Sequence, residues 1–376
     1  MEYYSKSFDG KKIIWFKSKN QYLILENAFS NLLIKCINGL SHEDFKETCM
    51  SEYNLSPIEC IQLYRKCKEI IQDQDATSNF SKRPSSFLVL NYEMSSSIVY
   101  QWNAQRVCVY YASEKLKNLV HPKFHHLTHI CDVERSIGSI FHVFKEDNKI
   151  VLSVDEECFG EWGFNEFHLF QGKFSMCMLN HFTRKKDKNW LATLHASAVY
   201  KQDSCLVLLG ESGKGKSIAT SLLLTNGYQH LADDFVPIEA DSKRIFAFPQ
   251  AVSIKEAMVN PLSKYFPQLL SSICKKKDEI QFRYLHPEIN QLQIQKSKKC
   301  KAFVFINYSK GSTTKFSSLT KTRALELLIP DSWISPLEKN SMAFLDLILE
   351  TPCYTLEYSD NSSMLKLIDQ LMNNEL

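Results

Sequence analysis

Apolar residues change their spacing several times along the first 75 positions. Lys12–Phe16 (KIIWF) and Gln21–Leu25 (QYLIL) are short β-prone runs separated by the polar Lys17–Asn20, which predicts a hairpin. Ala28, Leu32, Leu33, Ile37 and Leu40 then recur at helical spacing, with Gly39 as a stop signal. A second helix is predicted from Ser41. A third starts at Ser56-Pro57-Ile58-Glu59, which joins proline at the first helical position to the two ends of a capping box. Cys60, Ile61, Leu63, Tyr64 and Cys67 continue its apolar face. Hairpin and three helices together predict a small winged-helix-like module over residues 1–75.

The stretch Gln72–Ser86 concentrates Ser, Asp, Asn and Pro, and a linker is predicted over 76–86. Beyond it, residues 87–376 are read as one larger domain. Its first part, to about Asn180, holds short alternating runs such as SSIVYQW, RVCVYYA and KIVLSV, which predict an antiparallel sheet. From His195 the order becomes strand, loop, helix, strand, so the expected class is α/β, or α+β for the chain as a whole.

Composition narrows the function more than the fold. The chain has 376 residues, 45 Lys+Arg against 42 Asp+Glu and a formal charge of +3, so no basic field calls for nucleic acid as partner. No apolar run approaches the ~20 residues of a membrane span, and MEYYSKSFDGKK carries no secretory pattern. The 12 cysteines are scattered without a C-x-x-C pair, which points to reduced thiols and a cytoplasmic protein.

One motif carries chemistry. Gly210-Glu211-Ser212-Gly213-Lys214-Gly215-Lys216-Ser217 satisfies G-x-x-x-x-G-K-[ST] between an apolar run, Ser204–Leu209, and a helix-like one, Ser217–Thr225. Glycines let such a loop turn its amides toward phosphate oxygens, and the helix adds its positive end. Lys216 supplies a cation for the β- and γ-phosphates, and the Ser217 hydroxyl is a Mg²⁺ ligand. Downstream, the next strand ends in Asp233-Asp234, two carboxylates that can divide the work of activating a hydroxyl and holding Mg²⁺. His195 precedes the loop's strand and is either a core histidine or a member of the site. Lys255 follows a proline-marked turn and is either solvated or a cation for the transferring phosphoryl group. His121, His125, His126 and His129 form either a solvated histidine-rich turn or a metal site.

Taken together, LHASAV, GESGKGKS, HLADDFVPI and FPQAVSIKEA resemble the HPr kinase/phosphorylase superfamily, P-loop kinases related to phosphoenolpyruvate carboxykinase. The match is most like the HPr-kinase-related proteins of bacterial biosynthetic clusters and runs over roughly residues 85–370. This resemblance implies ATP and Mg²⁺, with His195 and Asp233 activating a substrate hydroxyl and Asp234 serving the metal beside Ser217. Ile218 stands where HPr kinases proper usually carry an acid.

Residues 1–75 are similar to the PqqD-like fold, which captures leader peptides in ribosomal-peptide biosynthesis. By that resemblance a leader would add as a strand beside Tyr22 and Ile24 and pack near Tyr53, Ile61, Tyr64 and Lys68. The implied activity is phosphorylation of a Ser or Thr hydroxyl on a precursor peptide. A small-molecule or free amino-acid kinase, a non-catalytic nucleotide-binding regulator and a homo-oligomer all remain open.

Overall fold

The computed structural model describes residues 1–75, 92–102, 104–129, 137–211, 213–277, 280–286 and 297–376. The predicted linker, 76–86, and Ser212 of the glycine-rich loop lie outside these residues. The chain forms two compact units. One joins the N-terminal residues to Thr320–Pro330 and Ile334–Glu350, so it is discontinuous in sequence where the expected module was continuous.

In this first unit β1 (Tyr3–Phe8), β2 (Lys11–Phe16) and β3 (Gln21–Glu26) make an antiparallel sheet in the order β1-β2-β3. The predicted hairpin is β2–β3. The strand before it was not foreseen, although Asp9 and Gly10, both at positive φ, make the two-residue turn that a right-twisted hairpin prefers. Then follow α1 (Asn27–Ile37), α2 (His42–Tyr53) and α3 (Pro57–Asp75). The capping box forms as read: Ser56 Oγ accepts from the Glu59 amide at 3.4 Å, and Glu59 accepts from the Ser56 amide at 2.8 Å. Ile14 and Phe16 pack with Leu33, Phe45 and four cysteines on the helical side. Ile13 and Trp15, on the other face, are equally buried. There Tyr22 meets Phe344 edge-on at 6.4 Å, and Lys6 pairs with Asp346.

The second unit begins with β4 (Ser96–Trp102), β5 (Gln105–Tyr111), α4 (Glu114–Phe124), β6 (Ser139–Glu146), β7 (Lys149–Val154) and β8 (Glu157–Gly163), backed by α5 (Phe167–Thr183). The sheet runs β4-β5-β6-β7-β8, but β5 and β6 are parallel, not antiparallel as expected. A parallel step needs a long crossover, and α4 lies within it.

Next come β9 (Trp190–Leu194), β10 (Ser197–Lys201), β11 (Ser204–Leu209), α6 (Lys216–Leu224), β12 (Gln229–Asp233), β13 (Val236–Glu239) and β14 (Ile245–Phe246). A small sheet, β15-β17-β16, follows from β15 (Val252–Lys255), β16 (Lys275–Lys277) and β17 (Ile280–Leu285), with α7 (Glu256–Ser263) between its first two strands. The chain ends with β18 (Ser297–Tyr308), β19 (Lys315–Ser318), α8 (Lys321–Leu328), β20 (Ser332–Ile334), α9 (Glu338–Glu350), β21 (Cys353–Tyr358) and α10 (Asn361–Met372). The central sheet runs β12-β10-β11-β18-β14-β13-β9, with β21 also on β18. β11, β18 and β21 are mutually parallel in that array. Leu206 and Leu208 of β11, Val304 and Ile306 of β18, and Leu223 of α6 build its core with Met364 and Ile368 of α10. The expected α/β class, α+β over the whole chain, is what forms. Among the described residues no helix is long and apolar enough to cross a membrane.

Replacing an N-cap serine by alanine costs about 1 kcal/mol. Ser56→Ala is therefore expected to lower stability in denaturant unfolding by about that much, with Ser56→Asp close to wild type; no change for Ser56→Ala would show that the cap contributes nothing.

Candidate functional site

The central sheet sets the site by register. Ser197 lies opposite Asp233, and Leu194 opposite Val236. Between those pairs His195-Ala196 faces Asp234-Phe235, where the long antiparallel pairing breaks. Asp234 takes the left-handed conformation (φ 62°), which asparagine and aspartate tolerate better than most residues. Its carboxylate accepts from His195 Nδ1 at 3.0 Å and from the Lys123 ammonium. Ser197 Oγ donates to Asp233. His195 is thus a member of the site, 46% exposed, and not a core histidine.

Two neighbouring acids are driven apart. Asp233 is 2% exposed. Burial, and then the charge of Asp234, push its carboxyl up to about 6. Burial would also raise Asp234, but Lys123 and then His195 outweigh it and hold that carboxyl well below the ordinary range. Burial likewise opposes the Lys123 cation, yet Asp234 keeps its pKa raised.

Lys123 was missed in the sequence because it sits inside HPKFHH, where the histidines drew attention. It is placed by α4: Phe124 packs edge-on against Phe248 at 5.9 Å, and the Lys123 carbonyl accepts from the Ala251 amide at 3.0 Å. The histidines are not all solvated: His125 is exposed, but the other three are not. His121 is buried with Nδ1 2.8 Å from the Tyr100 hydroxyl, and burial lowers its pKa to about 4. Among the described residues no group of three or more His, Cys, Asp or Glu side chains is placed to hold a metal.

The glycine-rich loop leaves β11 and enters α6. At Gly210 (φ 152°) a Cβ would meet the Ile306 carbonyl oxygen at 2.6 Å, so β18 passes too close for any side chain. Gly215 (φ 90°) is the N-cap of α6 and offers no side-chain cap, which leaves the helix's first amides for an anion. Lys216 Nζ reaches the His195 carbonyl at 3.4 Å, tying the loop to the acid pair. Lys255, at the end of β15, has its Nζ 3.4 Å from where a Cβ of Gly213 would stand, so a second cation overhangs the loop. Glu211, Gly213 and Lys214 are exposed, and Ser217 is half-buried in the first turn of α6. Two cations, an uncapped helix start and a glycine cradle fit a polyphosphate. The Ser217 hydroxyl, in the first turn of α6, fits Mg²⁺, which takes few protein oxygens and completes its shell with water and phosphate.

The expected peptide-binding residues fall in two places in the first unit. Tyr53, Tyr64 and Lys68 gather around α3, where Tyr64 meets Phe45 at 5.2 Å and Lys68 Nζ lies 5.3 Å from the Tyr64 ring. Ile61, on α3, is exposed. Tyr22 and Ile24 alternate with Leu23 and Leu25, which belong to the helical side, and therefore face the other way.

No protein-family model matches the chain, and no curated protein matches it. Among solved structures, the Hpr(Ser) kinase/phosphatase from Coxiella burnetii is similar at 11% identity, covering 49% of this chain and 89% of that one, with a TM-score of 0.25. A likeness of that size does not bear on function.

Removing the cation from a buried pair strands the anion. Lys123→Met is expected to cost about 2 kcal/mol in urea unfolding at neutral pH. The gap should narrow as pH falls below about 4, because Asp234's contribution exists only while it is ionised. Lys123→Met/Asp234→Asn should recover most of the loss, and a gap independent of pH would refute the pairing. Asp233 has the opposite sign. Its raised pKa means that stability is fully present below about pH 4 and is lost as pH rises through about 6. Relative to Asp233→Asn, wild type should lose on the order of 3 kcal/mol across that window, and parallel pH curves would contradict the assignment.

Proposed function

We propose that the chain is an ATP- and Mg²⁺-dependent kinase that phosphorylates a Ser or Thr hydroxyl of a ribosomally made precursor peptide. The observation that carries the reading is the phosphate-type loop beside two acids of opposite pKa shift, linked through Lys216 to His195. Phosphoryl transfer needs this combination: cations where the charge gathers, and a base where the nucleophile stands.

Exposure favours a division of labour opposite to the one the resemblance implies. A base must reach the hydroxyl it deprotonates. Asp234 is 27% exposed and His195 more so, whereas Asp233 is closed onto Ser197. In this reading Asp234 orients the imidazole through Nδ1, and Nε2 takes the hydroxyl proton as oxygen attacks the γ-phosphorus. The bond to the β-phosphate oxygen breaks, and ADP leaves. Lys216 and Lys255 offset the charge gathering on the phosphoryl oxygens. Ser217 with Asp233 would hold Mg²⁺, whose chemistry is neutralisation of the phosphates.

The leader would be held by the N-terminal residues, through the edge of β3 and the α3 surface around Tyr53, Ile61, Tyr64 and Lys68. Tethering raises the local concentration of the core peptide, to about millimolar for a short flexible link. Localisation in the cytoplasm belongs to the same proposal.

Incubation with Mg–ATP and the precursor peptide encoded beside this gene should add one phosphate mass, mapped to a hydroxyl by fragmentation. Asp234→Asn should reduce turnover 10²- to 10⁴-fold while Mg–ATP still binds. Ile61→Asp should raise KM for the full precursor but not for a leaderless core peptide. Phosphate transfer to free serine alone, with no peptide modified, would favour the small-molecule kinase; binding of ATP without any transfer would favour a regulator. Truncation of residues 1–75 is a poor test, because Ile13 and Trp15 lie buried in a unit that also contains Ile334–Glu350.

A further inference from the structure

The strands that flank β11 differ in kind. β10 lies on one side, with β12 beyond it, and brings the acids; β18 lies on the other side, with β21 beyond it. Because β11, β18 and β21 are parallel, their carboxyl ends share an edge, and α/β sheets take ligands in the crevice outside such ends. β18 ends in Tyr308 and β21 in Tyr358.

Both tyrosines rest on the loop. The Tyr308 amide donates to the Lys214 carbonyl at 2.9 Å. A Cβ on Gly215 would lie 2.8 Å from Tyr308 Cβ and 3.2 Å from Tyr358 Oη. The two rings meet edge to face at 5.6 Å and 73°. Tyr358 is fully buried and its hydroxyl has no hydrogen-bond partner among the described residues, whereas Tyr308 is 41% exposed. The segments that follow are clipped together: the Ser309 amide donates to the Tyr358 carbonyl at 2.9 Å, and Ser359 Oγ to the Ser312 carbonyl at 2.7 Å. The result is an aromatic ring, backed by a second buried ring and abutting the phosphate loop on the flank away from the acids.

We propose that Tyr308 is the stacking platform for the base of a purine nucleoside triphosphate whose phosphates lie on Gly210–Ser217. The inference rests on the phosphate-binding reading of that loop. A triphosphate with its terminal phosphorus toward His195 and Asp234 leaves the loop on the opposite flank, where Tyr308 offers a π-face. A two-ring base covers more of that face than a one-ring base.

Calorimetric titration of the full chain with Mg–ATP, Mg–CTP and inorganic tripolyphosphate tests it. Wild type should bind ATP more tightly than CTP. Tyr308→Ala should weaken ATP about tenfold, in the range seen when stacking residues are truncated, and leave tripolyphosphate within about twofold; Tyr308→Phe should keep ATP affinity. Tripolyphosphate needs no base, so its binding also reports an intact loop. Unchanged ATP affinity in Tyr308→Ala, equal loss of both ligands, or a Tyr308→Phe variant as weak as Tyr308→Ala would overturn the platform while leaving the loop's phosphate role standing. Failure of wild type to bind either ATP or tripolyphosphate would instead remove the phosphate reading, and the platform with it.

Discussion

A carboxylate kept ionised at a break in a β-sheet is the constraint on which the site depends. Burial disfavours the charge on Asp234, and Lys123 and His195 overcome that cost together. Neither partner is close in sequence. His195 arrives because β9 and β10 run against β13 and β12 in one register, so the two interruptions coincide. Lys123 arrives because α4 is anchored by Phe124 and by the Ala251 amide. Each anchor is apolar or backbone in character, so the charge cluster is positioned by packing and does not have to position itself.

Adjacency gives the two acids their difference. Like charges one residue apart cannot both be favoured in a poorly solvated place, so whichever has cations ionises first and raises the other. Asp234 has the cations; Asp233 has a serine hydroxyl and the deeper burial. A pair tuned in this way offers an ionised group and a group that titrates near neutrality within one turn of chain. A single aspartate in either environment would give only one of them.

Much of this was legible in the sequence. The glycine-rich loop and the Asp-Asp pair are local in the chain, and the physics that selects their residues is local too. The capping box at Ser56 is legible for the same reason. What was misread involved partners far away in sequence. Four consecutive buried residues, Ile13 to Phe16, signal a strand covered on both faces; the nearby helices cover one, but Phe344, which meets Tyr22 on the other, lies more than 300 positions later and has no local mark. Asp9-Gly10 did carry a local turn signal, and the first strand could have been read from it. Lys123 had none, because a lysine in a histidine-rich helix end looks solvated until α4 is docked. The difference between the two acids in exposure and in the direction of their pKa shifts was beyond pattern reading, since it comes from partners and burial and not from spacing.

Polarity across the loop follows from topology. Acids and a histidine gather on the β10–β12 flank because the antiparallel pairing of β10 with β12 and of β9 with β13 breaks there at His195-Ala196 and Asp234-Phe235. The β18–β21 flank is parallel, so its strand ends open outward together and carry aromatic residues that pack onto the loop's glycines. A ligand with one anionic end and one flat apolar end therefore has a single favourable orientation on this sheet. Reversed, it would set its charge against Tyr308 and its ring against Asp234, at a cost in both desolvation and repulsion. Under the proposed reading, the direction of the ligand on the loop is set by strand order together with the side chains that each flank carries.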